Sequence, residues 1–202
     1  MHRIQRRIID ITYHEKLSHL SSCLSAWPII HEIYNTKQEH EVFILSNGHA
    51  GLALYCELEY RYGIDPVMLL HKHGIHPGRD LENHLHCSTG SLGSGLPIAV
   101  GHALADRSRN VYCMISDGEA AEGSIWEALR FCYVQNLTNL KIYANINGMS
   151  AYEYLDVEYL KTRLLAFLPW IEIRESEPLE LPFAKGLLTH YYVLKPEDYE
   201  KI

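Results

Sequence analysis

Asn110-Val-Tyr-Cys-Met-Ile-Ser-Asp-Gly-Glu119 is the stretch whose reading decides the fold. Residues 110 to 115 form an almost unbroken apolar run. That is the pattern of a strand buried on both faces, and such strands belong to parallel sheets covered by helices. The run stops at Ser116, Asp117 and Gly118, residue types that turn a chain. Downstream, residues 123–136 carry Ile125, Leu129 and Cys132 at helical spacing, and Leu140-Lys-Ile-Tyr-Ala144 is a second strand-like run. Strand, helix, strand is the repeating unit of a parallel sheet. A helical segment over 155–168, an extended one over 170–173 and a last short strand over 191–194 continue it. The expected fold is α/β: a mostly parallel sheet flanked by helices, in a single domain over residues 1–202.

Upstream, Met1-His-Arg-Ile-Gln-Arg-Arg7 opens an amphipathic helix with Ile4, Ile8, Ile9 and Ile11 inward. Residues 22–35 read as a second helix, with Leu24, Trp27, Ile30, Ile33 and Tyr34 on one side despite Pro28. Ser46-Asn47 is expected to cap a helix through Leu52, Tyr55 and Leu58 to Gly63. Asp65-Pro66 starts a short helix through Leu70, with proline in its first turn. Residues 71–90, rich in His, Gly and Pro, read as a long loop of functional character. Leu92–Ala105, dominated by small apolar residues, fits a buried helix packed closely on the sheet.

The chain has 202 residues, 47% hydrophobic and 21% charged, with a formal charge of -7. These are globular proportions, which exclude a disordered chain. The acidic balance argues against a general nucleic-acid role. No apolar run is long enough for a membrane-spanning helix, and the amino terminus has no signal-type stretch. The five cysteines (23, 56, 87, 113 and 132) contain no C-x-x-C pair. This spacing argues against zinc and for reduced thiols in a cytoplasmic protein.

Three constellations carry chemistry. Asp117-Gly118-Glu119 and Asn147 each follow a strand and stand one strand–helix–strand unit apart, so both reach the carboxyl rim of the sheet, where ligands bind. A carboxylate and an amide oxygen at neighbouring strand ends can ligate one hard cation such as Mg²⁺, which takes its remaining ligands from water and phosphate. Gly118 lets backbone approach a phosphate. Asp-Gly and Asn-Gly are equally the ordinary signals of turns. Ser88-Thr-Gly-Ser-Leu-Gly-Ser-Gly95 opens a helix and can present N–H groups to an anion, or serve only close packing. Among thirteen histidines, His19, His49, His76 and His190 are candidates for acid–base or hydrogen-bonding roles.

Taken together, these segments resemble the N-terminal, thiamine-diphosphate-binding half of transketolase. Leu45-Ser-Asn-Gly-His49-Ala is similar to the family's L-S-x-G-H-A. Thr89-Gly-Ser-Leu-Gly-Ser-Gly95 is similar to T-G-x-L-G-x-G. Asp117-Gly-Glu, Glu122-Gly, Trp126-Glu-Ala128, Leu137-x-Asn139-Leu140 and Asn147 follow G-D-G-E, E-G, W-E-A, L-x-N-L and D-x-N in order. Ser18-His19 with Leu24-Ser25 is a degraded G-H-x-G-x-x-L-S, His76-Pro77 resembles G-H-P, and Ala184-Lys-Gly186 with His190 resembles the end of that domain. The resemblance covers roughly residues 15 to 200.

The resemblance implies binding of thiamine diphosphate and Mg²⁺. Asp117 and Asn147 would be side-chain ligands of the metal and the Met149 carbonyl a third. Gly118, Glu119 and Gly90-Ser91-Leu92, with Asn147, would bind the cofactor. His49 and His190 would face its thiazolium end, and His19 and His76 would line the sugar channel. These four histidines are the expected catalytic set. Glu122 would sit at a subunit contact. Family members also need a glutamate on a following, pyrimidine-binding domain, and the sequence to Ile202 holds no such domain. The implied protein is the N-terminal subunit of a split transketolase, working with a C-terminal subunit as an α2β2 hetero-oligomer; a piece of a longer transketolase chain is the other way to reach this ending. It would transfer a two-carbon ketol unit between sugars or sugar phosphates.

Three departures stand out. Ser116 replaces the first glycine of G-D-G, where a Cβ is expected to crowd the turn. Asn145 replaces the aspartate of D-x-N and removes a carboxylate near the reacting ring. Ser18 and Ser21 replace glycines beside His19, and the stretch from Trp170 to Lys185 is shorter than in the family. Two other functions remain. The glycine loop and Asp-Gly-Glu also resemble deoxyxylulose-phosphate synthase, which would use pyruvate. A non-catalytic cofactor-binding or regulatory subunit would have lost turnover through Ser116 and Asn145.

Overall fold

The computed structural model describes residues 1–150, 153–176 and 183–202. Its sheet holds β1 (Val42–Leu45), β2 (Val111–Ser116), β3 (Leu140–Ile146) and β4 (Glu172–Glu175), lying in that order and parallel at every pairing. The apolar runs alternate between two cores. Tyr112, Met114 and Tyr143 join the core made with α1 (Arg3–His14), α2 (Leu20–Thr36) and α3 (Gly51–Tyr62). Val111, Cys113, Ile115, Leu140 and Ile142 join the other, with α5 (Gly95–Ala105), α6 (Gly123–Val134) and α7 (Val157–Phe167). Burial on both sides is why these strands read as continuous rather than alternating. The fold is the expected parallel α/β arrangement.

Several elements form for the reasons visible in the sequence. Ile4, Ile8, Ile9 and Ile11 are all buried on α1. α4 (Pro66–His73) starts with Pro66 in its first turn, and the Asp65 carboxylate accepts from the Val67 N–H at 3.0 Å. α2 runs through Pro28, which sits on its exposed side. All five cysteines are free and buried. Among the described residues, no helix is long and apolar enough to cross a membrane.

One strand is added to the expected set and two expectations are corrected. β1 was not anticipated, because four apolar residues at 42–45 cannot be told from a buried helical turn by periodicity. It pairs with β2 in register from Val42↔Val111 to Leu45↔Met114. The strand expected at 191–194 does not form. A 3-10 turn over Gly186–His190 precedes it, Tyr191 and Val193 are exposed, and the chain runs into the short helix α8 (Pro196–Tyr199). Tyr192 donates its phenol proton to Asp198 at 2.6 Å, so the segment serves that turn rather than the sheet. Nor do Ser46 and Asn47 cap α3. A 3-10 turn over Gly48–Ala50 intervenes, and no side chain caps the helix. The Ser46 hydroxyl instead crosses to Glu119 at 2.7 Å.

Candidate functional site

The site is built by the register of two strands. Ser116 on β2 lies beside Asn145 on β3, so the residues that follow, Asp117 and Asn147, emerge side by side at the carboxyl rim. Asp117 Oδ2 accepts from the N–H groups of Asn147 and Gly148, both at 2.8 Å, and Oδ1 accepts from the Gly118 N–H at 2.9 Å. Burial pushes this carboxyl above its ordinary pKa, while the three N–H donors oppose the shift. Asn147 Oδ1 accepts from the Met149 N–H at 2.9 Å. Asp117, Asn147 and Met149 are thus brought together at one wall.

Ser116 does not crowd this turn. Its backbone is extended (φ −109°), and its side chain caps the 3-10 turn over Asp117–Ala121. Glu119 returns the bond to the Ser116 N–H at 3.2 Å. The other oxygen of Glu119 accepts from Ser46 Oγ at 2.7 Å and from the Gly93 N–H at 2.8 Å. Glu119 is 0% exposed. It therefore lies under the cleft, joining β1, the glycine loop and β2, rather than in the cleft wall. The loop needs its glycines at two points. Gly93 holds φ +75°, and a Cβ on Gly95 would stand 2.6 Å from Ser46 Cα.

An open cleft of about 480 Å³ runs along this rim. Asn47, His49, Leu92, Ser116, Asp117, Gly118, Asn145, Asn147, Met149, Ser150 and His190 line it, and α2 contributes Ser22 and Ser25. His19 completes a histidine cluster, its ring 4.4 Å from that of His190 and 5.5 Å from that of His49. His76 lies under Gly90, within 3.0 Å of where a Cβ would be. His19 itself holds a left-handed backbone (φ 65°), tied by its N–H to the His190 carbonyl at 3.0 Å. Ser91 and Glu122 are exposed beside the glycine loop. Sequence reading missed the serines of α2, Asn47 and Ser150 as wall residues. The signal for the serines was the Ser21-Ser22-x-x-Ser25 spacing, which puts Ser21, Ser22 and Ser25 along one helical edge.

Burial holds the imidazoles of His19, His49 and His190 neutral. Burial, with His190 and His76 nearby, lowers the His19 pKa to about 4. Burial and the three neighbouring histidines take His49 to about 3, and burial also lowers His190. The unfolded chain therefore binds more protons between pH 6.5 and about 3 to 4. Stability contributed by these groups is complete above pH 6.5 and is lost as pH falls through that window. Thermal melts from pH 7 to 4.5 should show a falling midpoint, with a shallower fall in His49→Gln. An equal slope in the variant would overturn this assignment.

Two features suit an anionic ligand carried with a divalent cation. The side-chain groups that meet at the strand tips are oxygen donors, the carboxylate of Asp117 and the amide oxygen of Asn147, the kind a hard cation prefers. Among the described residues no lysine or arginine lines the cleft, which suits an anion whose charge is met by backbone donors and a bound cation. Among the described residues, the buried oxygens Asn47 Oδ1 and Thr89 Oγ1 and the nitrogen His19 Nδ1 have no hydrogen-bond partner. Buried polar atoms are rarely left so, and these three lie in or behind the cleft.

A family profile described as the thiamine diphosphate binding domain of transketolase matches residues 31–159. The human (Homo sapiens) transketolase-like protein 2 is 35% identical over 152 residues, covering 64% of this chain and 24% of that protein. Transketolase of Mus musculus is 32% identical over 169 residues, covering 73% of this chain and 27% of that protein. The 6-deoxy-6-sulfo-D-fructose transketolase subunit SqwG of Clostridium sp. (strain MSTE9) is 38% identical over 154 residues, covering 70% of this chain and 50% of that subunit. The chain thus spans about a quarter of the length of the first two relatives and half of the third. A crystal structure of a transketolase from Pichia stipitis matches 98% of this chain and 39% of its own, with a TM-score of 0.75 at 20% identity, which shows a shared fold.

Proposed function

Because the chain belongs to the thiamine-diphosphate-binding domain family of transketolase, we propose that its cleft holds thiamine diphosphate with Mg²⁺ and serves ketol transfer between sugars. The observation that carries this reading is the meeting of Asp117 and Asn147 at adjacent strand tips, in a cleft that, among the described residues, has no lysine or arginine in its wall. Asp117, Asn147 and the Met149 carbonyl hold the metal. Gly118 and the Gly90-Ser91-Leu92 backbone cradle the diphosphate, with Glu119 fixing that loop from below. When bound, the cofactor supplies the electron sink for the two-carbon unit. His49 and His190, neutral at pH 7, face its ring end and add no positive charge beside a cationic thiazolium. His19 and His76 offer hydrogen bonds to sugar hydroxyls at the cleft mouth.

The site is completed by a second subunit carrying the pyrimidine-binding domain, with Glu122 at the contact and an α2β2 assembly in the cytoplasm. The relative named as a subunit, half of which this chain matches, supports this arrangement. The chain alone, with Mg²⁺, should bind thiamine diphosphate in calorimetry yet transfer no ketol unit from a ketose donor. Adding the second subunit should restore transfer, and pyruvate should not replace the ketose. Full-rate turnover by this chain alone would sink the split site. Absence of heat with both subunits present would leave a non-catalytic subunit in its place.

A further inference from the structure

We infer that Asn145 is a positioning residue that sets the distance between the phosphate end and the ring end of the cleft. Asn145 lies on β3 two residues before Asn147, is 3% exposed, and points into the cleft wall. Its Oδ1 accepts from Ser176 Oγ at 2.8 Å, just beyond β4. Its Nδ2 donates to Ser25 Oγ on α2 at 3.3 Å. Ser25 Oγ in turn donates to the Ser22 carbonyl at 3.1 Å, and Ser22 Oγ meets His190 Nδ1 at 3.5 Å. The bonds form one uncharged chain from the sheet edge, through the strand that leads to Asn147, to the helix edge that meets the imidazoles. Farther along α2, the Glu32 carboxylate accepts from Arg174 Nε and Nη2 at 2.9 and 2.6 Å. That clamp lies beyond Pro28, where a helix lacks one backbone bond. The first turns of α2, which carry the serines, pack their apolar side on the core and are tied to β3 by the Asn145–Ser25 bond.

The inference rests on the cofactor reading above, and it predicts a differential effect. A ligand that spans both ends of the cleft feels the spacing, whereas a ligand that fills only the phosphate end does not. The test titrates the full chain, with Mg²⁺, against thiamine diphosphate and against inorganic pyrophosphate. Asn145→Ala should weaken thiamine diphosphate about tenfold, the scale of one buried hydrogen bond, and leave pyrophosphate within about twofold. Ser25→Ala should do the same, and the double variant should be no worse than either single one. Asn145→Asp keeps an acceptor for both serine hydroxyls. It should hold the ratio of the two affinities near that of the parent, even where its charge weakens both. Equal loss of both ligands in Asn145→Ala, or no loss of either, overturns the inference alone. A parent chain that binds neither ligand overturns the cofactor reading and this inference with it.

Discussion

Asp117→Asn should reduce the affinity for thiamine diphosphate in the presence of Mg²⁺ by about 100-fold or more, roughly 2.7 kcal/mol. Pyrophosphate should lose as much, because both depend on the ion. Asparagine is the informative choice. Alanine would strip the acceptor from the N–H groups of Asn147 and Gly148, and the strand tip would move along with the ligand. Asparagine can turn its amide oxygen to that pair, in the place Oδ2 holds, and sacrifices only the bond from Gly118 to Oδ1. That loss is about 1 kcal/mol, and it is partly offset because a buried charge has been removed. The melting temperature should therefore change little while binding collapses. Calorimetry with and without Mg²⁺, beside thermal melts, reads both. Binding within about threefold of the parent would show that the carboxylate only shapes the turn.

The sheet was largely legible because burial on both faces writes a continuous apolar run, as at 110–115 and 140–144. The juxtaposition of Asp117 with Asn147 followed from that, since parallel strands bring their carboxyl ends to one rim whatever the intervening helix contains. β1 was not legible. Its four residues carry no period, and what makes them a strand is the free edge of β2. Two misreadings at the site share a cause. Ser46 looks like a helix cap and Ser116 like an obstruction, yet both hydroxyls join the Glu119 network or its turn. A hydroxyl's local preference does not reveal a partner 73 residues away. The serine edge of α2 was hidden for a related reason. Its bearing depends on how the helix lies across β3 and β4, where its apolar face packs and the polar links Ser25–Asn145 and Glu32–Arg174 join it to the strands.

Glu119→Ala should be the most destabilising single change at the site. Three donors from three segments end on this carboxylate: the Ser46 hydroxyl after β1, the Gly93 N–H in the glycine loop and the Ser116 N–H on β2. A buried donor left without an acceptor costs about 1–3 kcal/mol. Ser46 can rotate its proton elsewhere, but the two backbone donors cannot, so a loss of about 3–5 kcal/mol is expected, the scale of breaking a buried network. Glu119→Gln keeps the volume and separates the effects. Its amide nitrogen must face either Gly93 or Ser116, placing donor against donor, and about 2 kcal/mol should be lost. Denaturant midpoints measure both variants. Because neither oxygen is directed into the cleft, the Gln variant should lose cofactor affinity only through a loosened Gly90–Leu92 loop. Its binding defect should then be smaller than that of Asp117→Asn although its fold is weaker. A Gln variant as stable as the parent would mean that the carboxylate does not hold the three segments together.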